Sequence, residues 1–290
     1  MKYLSMKLLG VLFAVFSDSS VDASDYDVTC GQVFSNERFT SYVNSFSRDK
    51  RLPSTEGLEH ELAKCPRDQV LARIAFLSHL KSRQCKQAND LLSEFRTTSG
   101  NWHFSELEAE NVAICFYENG EYAAAVKVFS TMDSVASGAA EVSTQYVYAE
   151  SLYGSQDIDR AISVLRSVTK KNYESIQGKV DQIAYLNSLI AMARMLHIVG
   201  DFAESFAAAN RAWAIDAGST ESTEIALASA ARLEGLNSTQ LRTVYCRAMS
   251  LRLAIRVDSL KEVEEDLKKI RSRILGKSES EIDCSSDSPM

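Results

Sequence analysis

The sequence predicts an all-α fold, built from antiparallel helix pairs stacked side by side. The chain has 290 residues but only 3 Pro and 12 Gly. Both counts are low, which favours helices because all-β folds need frequent Gly and Pro turns. In addition, residues 113–132, 149–168 and 193–212 share one pattern of small, large apolar and turn residues. A pattern that recurs at such intervals is typical of helical repeat proteins.

Composition and charge narrow the function classes. Hydrophobic residues make up 45% of the chain, which is enough for a packed core rather than a disordered segment. The formal net charge is −7. An acidic chain repels the phosphate backbone, so we expect no nucleic-acid partner. Basic residues do occur in 247–256 and 269–273, and we interpret them as solvated helix faces.

The first 23 residues are predicted to be a signal peptide. Lys2 and Lys7 precede an apolar run at 8–16, and small residues at Val21 and Ala23 indicate cleavage after Ala23. That run is about half of the ~20 residues that a membrane-spanning helix needs. The alternatives are a short membrane anchor or a buried N-terminal helix. We therefore predict a secreted or periplasmic protein with no stable membrane insertion after cleavage.

If the protein is exported, its cysteines are expected to form structural disulfides. The chain has 6 cysteines, and an even number in an oxidising compartment indicates disulfides. There is no CxxC sequence and no His at ligand spacing, so we predict no metal site. The alternative is that several are buried free thiols. Cys115 is the strongest candidate for one because it lies in an apolar helical pattern.

The three similar stretches align position by position. The shared positions are an initial Ala (113, 149, 193), a large apolar residue (116, 152, 196), a turn (120, 156, 200), a second apolar residue (122, 158, 202) and a small residue (125, 161, 205). Gly120 and Gly200 tolerate the left-handed backbone that ends a helix, so each stretch is predicted to be two helices joined by a turn. The second interval is longer and contains KKNYESIQGK (170–179), an inserted loop or a helix extension.

Weaker features flank these copies. Residues 24–64 are predicted to form an N-terminal helical cap, with a short helix that starts at Ser54 or Thr55. Ala88 aligns with Ala125 in an upstream copy, and the repeat region is placed at 65–257.

The downstream copy and the C-terminus complete the predicted organisation. Ala228, Ala231 and Gly235 align with the third copy at an offset of 35 residues. Apolar residues at 3–4 spacing in 259–275 indicate a C-terminal capping helix, placed at 258–276, and 277–290 is predicted to be a disordered tail.

The pattern resembles the tetratricopeptide repeat: Ala, apolar, Gly, Tyr or Phe, Ala, and a closing apolar residue at Phe129, Leu165 and Ala209. It departs from that repeat in lacking the early Trp, the closing Pro and a regular period. The resemblance implies a right-handed superhelical α-solenoid that serves as a scaffold. In such stacks the start of a second helix lies near the end of the next first helix, which would place Cys85 near Cys115. Cys30 could then reach Cys65, and Cys246 could hold the tail through Cys284.

A helical stack of this kind offers a concave surface lined by the first helix of each pair. The residues opposite the packing positions are candidate binding residues for a protein or peptide partner: Glu110, Ile114, Tyr117, Tyr146, Glu150, Tyr153, Asn187, Arg194 and His197. Tyr and Arg are favoured interface anchors. The alternative is that each is an ordinary surface residue. Tetratricopeptide co-chaperones that grip a carboxylate use several basic residues here. Only Arg194 is basic, so an apolar or basic peptide fits better.

Catalytic motifs give no positive signal. No phosphate-binding loop, dinucleotide fingerprint, zinc-protease helix or nucleophile elbow occurs, so no cofactor and no enzyme activity are predicted. The first hypothesis is an exported scaffold that binds a protein or peptide in assembly of a larger complex. The alternatives are a hydrolase or carbohydrate-active enzyme on a helical scaffold, and a structural envelope component. The sequon Asn237-Ser238-Thr239 lies in a predicted turn, where a glycan could sit in a eukaryotic host.

Overall fold

The computed structural model describes residues 20–21, 30–31, 35–48, 52–96, 105–251, 260–275, 282 and 284. The chain divides into two compact units, Met1–Ala140 and Glu141–Met290. The predicted repeat region 65–257 is thus shared between two units. Most of the predicted signal peptide and of the predicted disordered tail lies outside the described residues.

The unit Met1–Ala140 is almost entirely helical in its described part. Its elements are β1 (Ser20–Val21), α1 (Asn36–Arg48), β2 (Leu52–Pro53), α2 (Thr55–Lys64), α3 (Gln69–Lys81), α4 (Cys85–Arg96), α5 (Glu106–Glu118), α6 (Tyr122–Phe129) and α7 (Asp133–Ala136). The two short strands pair in parallel. The antiparallel pairs are α3/α4 and α5/α6, and α5 packs on α3 and α4. The side chain of Ser54 caps α2, as the sequence predicts.

The unit Glu141–Met290 contains the most regular part of the repeat. Its helices are α8 (Val142–Gly154), α9 (Ile158–Thr169), α10 (Lys179–Val199), α11 (Phe202–Ile215), α12 (Thr220–Ala230), α13 (Ser238–Leu251) and α14 (Leu260–Leu275). The pairs are α8/α9, α10/α11 and α12/α13. Each first helix also packs on the next first helix, in the order α8, α10, α12, α14. This double contact of helix pairs is the tetratricopeptide-like arrangement, and it confirms the predicted all-α fold.

One turn geometry joins the helices of four pairs. The turn residues Arg83, Gly120, Gln156 and Gly200 all have positive φ, between 57° and 86°. In each turn this residue donates its N–H to the carbonyl three residues back, and the next residue donates to the carbonyl five back, over 2.8–3.2 Å. These two bonds form a Schellman motif, which satisfies the carbonyls at a helix end. The weaker upstream copy is therefore a true copy of the turn.

Small residues carry the helix contacts inside the repeat. The aligned positions Ala113, Ala149 and Ala193 are fully buried, and so are Ala125, Ala161 and Ser205 at the facing positions of the second helices. Without long side chains at these points, the backbones of a pair can approach closely. Larger apolar residues such as Phe129, Leu152 and Leu165 fill the remaining space.

The long interval between the second and third copies forms two structures. Residues Tyr173–Ser175 make one turn of 3-10 helix, and α10 then extends for 21 residues. The ring of Tyr185, in the added part of α10, packs against Tyr173 with centroids 5.6 Å apart. Its hydroxyl lies 3.2 Å from the carbonyl oxygens of Thr169 and Lys171, at the end of α9. The insertion therefore contains both a loop and a helix extension.

The fourth copy does not follow the predicted register. The aligned positions Ala228 and Ala231 are only half-buried, whereas Ala226, Leu227, Ser229 and Ala230 are buried. The predicted offset of 35 residues from the third copy is therefore wrong. Gly235 lies five residues beyond the end of α12 and is not among the glycines with positive φ. It is not the equivalent of Gly200.

The cysteines form three disulfides, Cys30–Cys65, Cys85–Cys115 and Cys246–Cys284, with Cα–Cα distances of 5.4, 5.6 and 5.4 Å. These are the three pairs put forward from the sequence, and no cysteine is free. Cys115 is buried, but the interpretation of it as a free thiol is wrong because Cys85, at the start of α4, reaches it. Among the described residues, no helix is both long and apolar enough to cross a membrane.

Candidate functional site

The nine predicted binding residues all lie on first helices and are all half-buried. Glu110, Ile114 and Tyr117 belong to α5, in the unit Met1–Ala140. The other six belong to α8 and α10, in the unit Glu141–Met290: Tyr146, Glu150, Tyr153, Asn187, Arg194 and His197. The structure therefore presents two separate groups, and the second is the one in which several side chains meet.

Four side chains from three successive first helices converge in what we call the Arg194 cluster: Glu150, Tyr153, Arg194 and Glu221. The Nη2 atom of Arg194 donates to both carboxylate oxygens of Glu150, at 3.0 and 3.3 Å. Its Nη1 atom donates to Glu221 at 3.3 Å. The guanidinium also lies over the ring of Tyr153, 5.6 Å from the centroid, which is a cation–π contact. The cluster thus ties α8, α10 and α12 together on one face.

Burial is uneven within the Arg194 cluster. The Glu150 side chain is 13% exposed, against 38% for Arg194 and 54% for Glu221. Burial raises the pKa of the Glu150 carboxyl, Arg194 opposes that rise, and the nearby Glu221 adds to it. One guanidinium therefore compensates two carboxylates, and the cluster carries an excess of negative charge. This surface favours a cationic group over an anionic one.

His197 lies one turn beyond Arg194, beside a second polar group. Its Nδ1 atom is 3.0 Å from the Ser229 hydroxyl, and its ring meets Phe202 edge-on at 5.1 Å. Burial and the neighbouring Arg232 lower the pKa of His197. The imidazole is therefore held neutral near pH 7, where it exchanges a hydrogen bond with a hydroxyl. It offers a partner no positive charge.

An apolar element adjoins the Arg194 cluster. Ile198 follows Arg194 by four residues on α10, so the two side chains lie on the same helix face. Ile198 is 53% exposed. The face therefore combines carboxylates, a partly exposed guanidinium, a Tyr ring and an exposed aliphatic side chain.

The α5 group in the unit Met1–Ala140 is simpler. The Tyr117 and Tyr122 rings lie 5.9 Å apart and tilted, across the turn at Gly120. Arg73 of α3 and Glu108 of α5 form an ion pair at 3.0 Å. First helices in this unit are therefore also joined by an Arg–Glu pair.

Glu221 is a site residue that sequence reasoning missed. The predicted binding residues were taken from the first helices of three copies, at 110–117, 146–153 and 187–197. No residue was assigned to the face from α12, the first helix of the fourth copy. Glu221 lies in the first turn of α12, where acidic residues are common, so only its contact with Arg194 distinguishes it.

The described residues contain no group of three His, Cys, Asp or Glu side chains that could hold a metal ion. The carboxylates of the site bind Arg194 instead. The site therefore offers ion pairing, hydrogen bonding and stacking to a partner.

Comparisons with known proteins give little further information. No family model matches the chain, and no curated protein matches it. Among solved structures, the chain is similar to the nearly identical TPR-like repeats of a kinesin light chain from Podosopora anserina. The two are 16% identical with a TM-score of 0.39, over 70% of this chain and 94% of that one. The helix pairing and turns described above, not this likeness, establish the fold.

Proposed function

We propose that the protein is an exported helical-repeat scaffold that binds a segment of a partner protein or peptide in the assembly of a larger complex. The binding face is formed by α8, α10 and α12, and the Arg194 cluster is the observation that supports it. The cluster joins an aromatic ring, a guanidinium and two carboxylates, all of them partly accessible. Tyr and Arg are the side chains on which interface energy concentrates.

The side chains of this face have different roles in the proposal, and that of Arg194 is to hold the two carboxylates in place. Tyr153 supplies a rigid contact surface at low cost in side-chain entropy. Glu150 and Glu221 accept hydrogen bonds from a cationic or amide group of the partner. The exposed Ile198 offers an apolar contact beside them. A segment that combines apolar and basic residues therefore matches the face, whereas an acidic segment is repelled by the excess carboxylate.

The α5 group forms a second proposed contact area. Glu110, Ile114 and Tyr117 are half-buried there, and Tyr117 and Tyr122 provide an aromatic surface. It lies in the other unit, so its contribution is treated as independent of the Arg194 cluster.

A scaffold is preferred to an enzyme because of what the two carboxylates contact. An acid–base pair acts on a reacting group that lies within hydrogen-bond reach of its side chains. Glu150 and Glu221 are instead bridged by one guanidinium. Export is supported by three disulfides, which persist mainly in oxidising compartments, and by the leader-like sequence at 1–23.

Site-specific photo-crosslinking tests the binding face. A photoreactive phenylalanine analogue is placed at Tyr153 of the full chain, and the protein is exposed to the extracellular or envelope fraction of its source cells. The matched control carries the analogue at Tyr245, a half-buried Tyr on α13, which is a second helix. We expect one major crosslinked protein from Tyr153 and none from Tyr245.

Binding measurements with that partner then test the cluster itself. Tyr153→Ala and Glu221→Gln should each weaken binding at least tenfold, because the first removes the proposed aromatic anchor and the second a carboxylate that pairs with a basic group of the partner. The control is Glu204→Gln, which removes the Arg166–Glu204 ion pair between second helices α9 and α11. Equal loss of affinity in Glu204→Gln and Glu221→Gln, or crosslinks from both tyrosine positions, would show that the first-helix face is not the binding site.

A further inference from the structure

We infer that Asn237 is an acceptor for an N-linked oligosaccharide. This inference rests on the export proposed above, because the modification occurs in a secretory compartment. Asn237-Ser238-Thr239 is the single Asn-X-Ser/Thr sequence in the chain. A chance sequon is common, so the inference depends on where the fold places this one.

The sequon lies at the surface, at the beginning of a helix. Asn237, Ser238 and Thr239 are all exposed, and α13 starts at Ser238. The connection from α12 to α13 spans residues 231–237, whereas residues 200–201 alone join α10 to α11. It is the longest turn within a pair in this unit, and its position leaves room for a bulky group.

The hydrogen bonds of Asn237 leave the reacting atom outside the cap. Its Oδ1 atom accepts from the Gln240 N–H at 2.9 Å, and its own N–H donates to Gln240 Oε1 at 3.1 Å. This reciprocal pair is a capping box, which fixes the start of α13. The cap uses Oδ1, whereas glycosylation uses Nδ2. A glycan on Nδ2 therefore leaves the carbonyl acceptor of the cap intact.

The transfer itself needs a sugar donor of the lipid-diphosphate class. The Nδ2 atom of Asn237 attacks the anomeric carbon of the donor oligosaccharide, and a carbon–nitrogen bond forms there. The bond from that carbon to the diphosphate oxygen breaks, and the lipid diphosphate leaves with the electron pair. One amide proton passes to a base of the transferase, and nothing is oxidised or reduced.

The test uses the full 290-residue chain in cultured mammalian cells, in two forms. One form carries its own N-terminus, and in the other a signal peptide of a well-known secreted protein replaces residues 1–23. Medium and cell-associated protein are both digested with a peptide N-glycosidase. Gel mobility then reports the glycan, and mass spectrometry reports conversion of Asn237 to Asp. We expect one glycan, seen as a single shift in mobility on digestion.

Four variants of the sequon separate modification from folding. Asn237→Gln and Thr239→Ala should lose the shift, and Thr239→Ser should keep it. Asn237→Asp keeps a cap oxygen without an acceptor nitrogen, so it should fold normally and show no shift. Unmodified protein in the form with the supplied signal peptide would overturn the inference. Modification of that form alone would instead refute export by the native leader and leave Asn237 as an acceptor.

Discussion

Two equivalent turns of the unit Glu141–Met290 should respond to substitution in opposite directions. Replacing the Gly of one turn should lower stability, and introducing a Gly into the other should raise it. Gly200 and Gln156 occupy the same Schellman position, with φ of 86° and 70°. We therefore expect Gly200→Ala to destabilise the unit Glu141–Met290 and Gln156→Gly to stabilise it. The control is Gly235→Ala, at a glycine that was aligned with Gly200 from the sequence but lacks positive φ.

The size of each effect follows from the local geometry. No heavy atom lies within 4 Å of a Cβ built at Gly200 or Gly235, so neither substitution causes a clash. A left-handed backbone costs an L-residue about 1–2 kcal/mol. Replacing Gly by Ala also restricts the unfolded chain, which returns about 0.4–1 kcal/mol. The net expectation is a loss of about 1 kcal/mol for Gly200→Ala, a gain of up to about 1 for Gln156→Gly, and a gain of about 0.4–1 for Gly235→Ala.

The assay is urea unfolding followed by tryptophan fluorescence. The chain has 2 Trp residues, so a Trp102→Phe background leaves Trp213 of α11 as the reporter. Trp213 belongs to the unit that contains all three substitutions and stacks on Arg247 at 3.5 Å, so its emission should change on unfolding. The reasoning is refuted if Gly200→Ala and Gly235→Ala shift the unfolding free energy equally, because backbone conformation would then not distinguish them.

Three further variants test other contacts through the free energy of unfolding. Arg194→Met should cost about 1–2 kcal/mol at pH 7, below the 3–5 of a fully buried pair because Arg194 is 38% exposed. Burial already raises the folded-state pKa of Glu150, and losing Arg194 raises it further. The penalty should therefore shrink as pH falls through that raised pKa, and a penalty that is constant between pH 7 and pH 4.5 would contradict this reasoning. Replacing Cys85 and Cys115 together by Ala opens a loop with a separation of 30 residues. This should cost about 3–4 kcal/mol in chain entropy, and the difference from wild type in calorimetry should disappear when all disulfides of both proteins are reduced. Tyr185→Phe should cost about 1–2 kcal/mol because the buried Tyr185 hydroxyl forms hydrogen bonds with the end of α9 and with Arg211. An unchanged free energy of unfolding would show that water takes the place of the missing hydroxyl.

The turns show how much of the fold could be predicted from the sequence. Gly120 and Gly200 indicated a left-handed turn, because glycine adopts that conformation without strain. Arg83 and Gln156 adopt it as well, although neither residue type favours it. At these two positions the packing of the flanking helices determines the backbone. Only alignment with the glycine copies could therefore predict them.

The fourth copy shows why the alignment of a segment rich in small residues can fail. The segment ALASAA (226–231) consists of five small residues and one Leu, so several registers place small residues at the packing positions. Contact with α10, α11 and α14 selects Ala226, Leu227, Ser229 and Ala230 for burial. Local sequence does not contain that information.

The candidate site was predicted at the level of the helix face but not of its contacts. All nine residues are half-buried on first helices, and their role in binding stays a prediction. The ion pair between Glu150 and Arg194, however, joins residues 44 positions apart across the inserted segment. The position at which α10 enters the stack decides whether the two side chains meet.

The leader at 1–23, including its cleavage after Ala23, remains a prediction. Cleavage there would remove β1.

The ion pairs between repeats indicate which partner charge the face can accept. On the second helices, Arg166 and Glu204 pair with each other and have no proposed binding role. On the first helices, Arg194 must satisfy the more buried Glu150, so a partner carboxylate that drew Arg194 away would leave a desolvated charge uncompensated. A partner cation imposes no such loss, because it can join Glu150 and Glu221 while Arg194 stays in place. The charge balance of the face therefore favours a basic partner segment. The reason is the one for which Arg194→Met should destabilise the fold: the buried Glu150 needs a positive charge beside it.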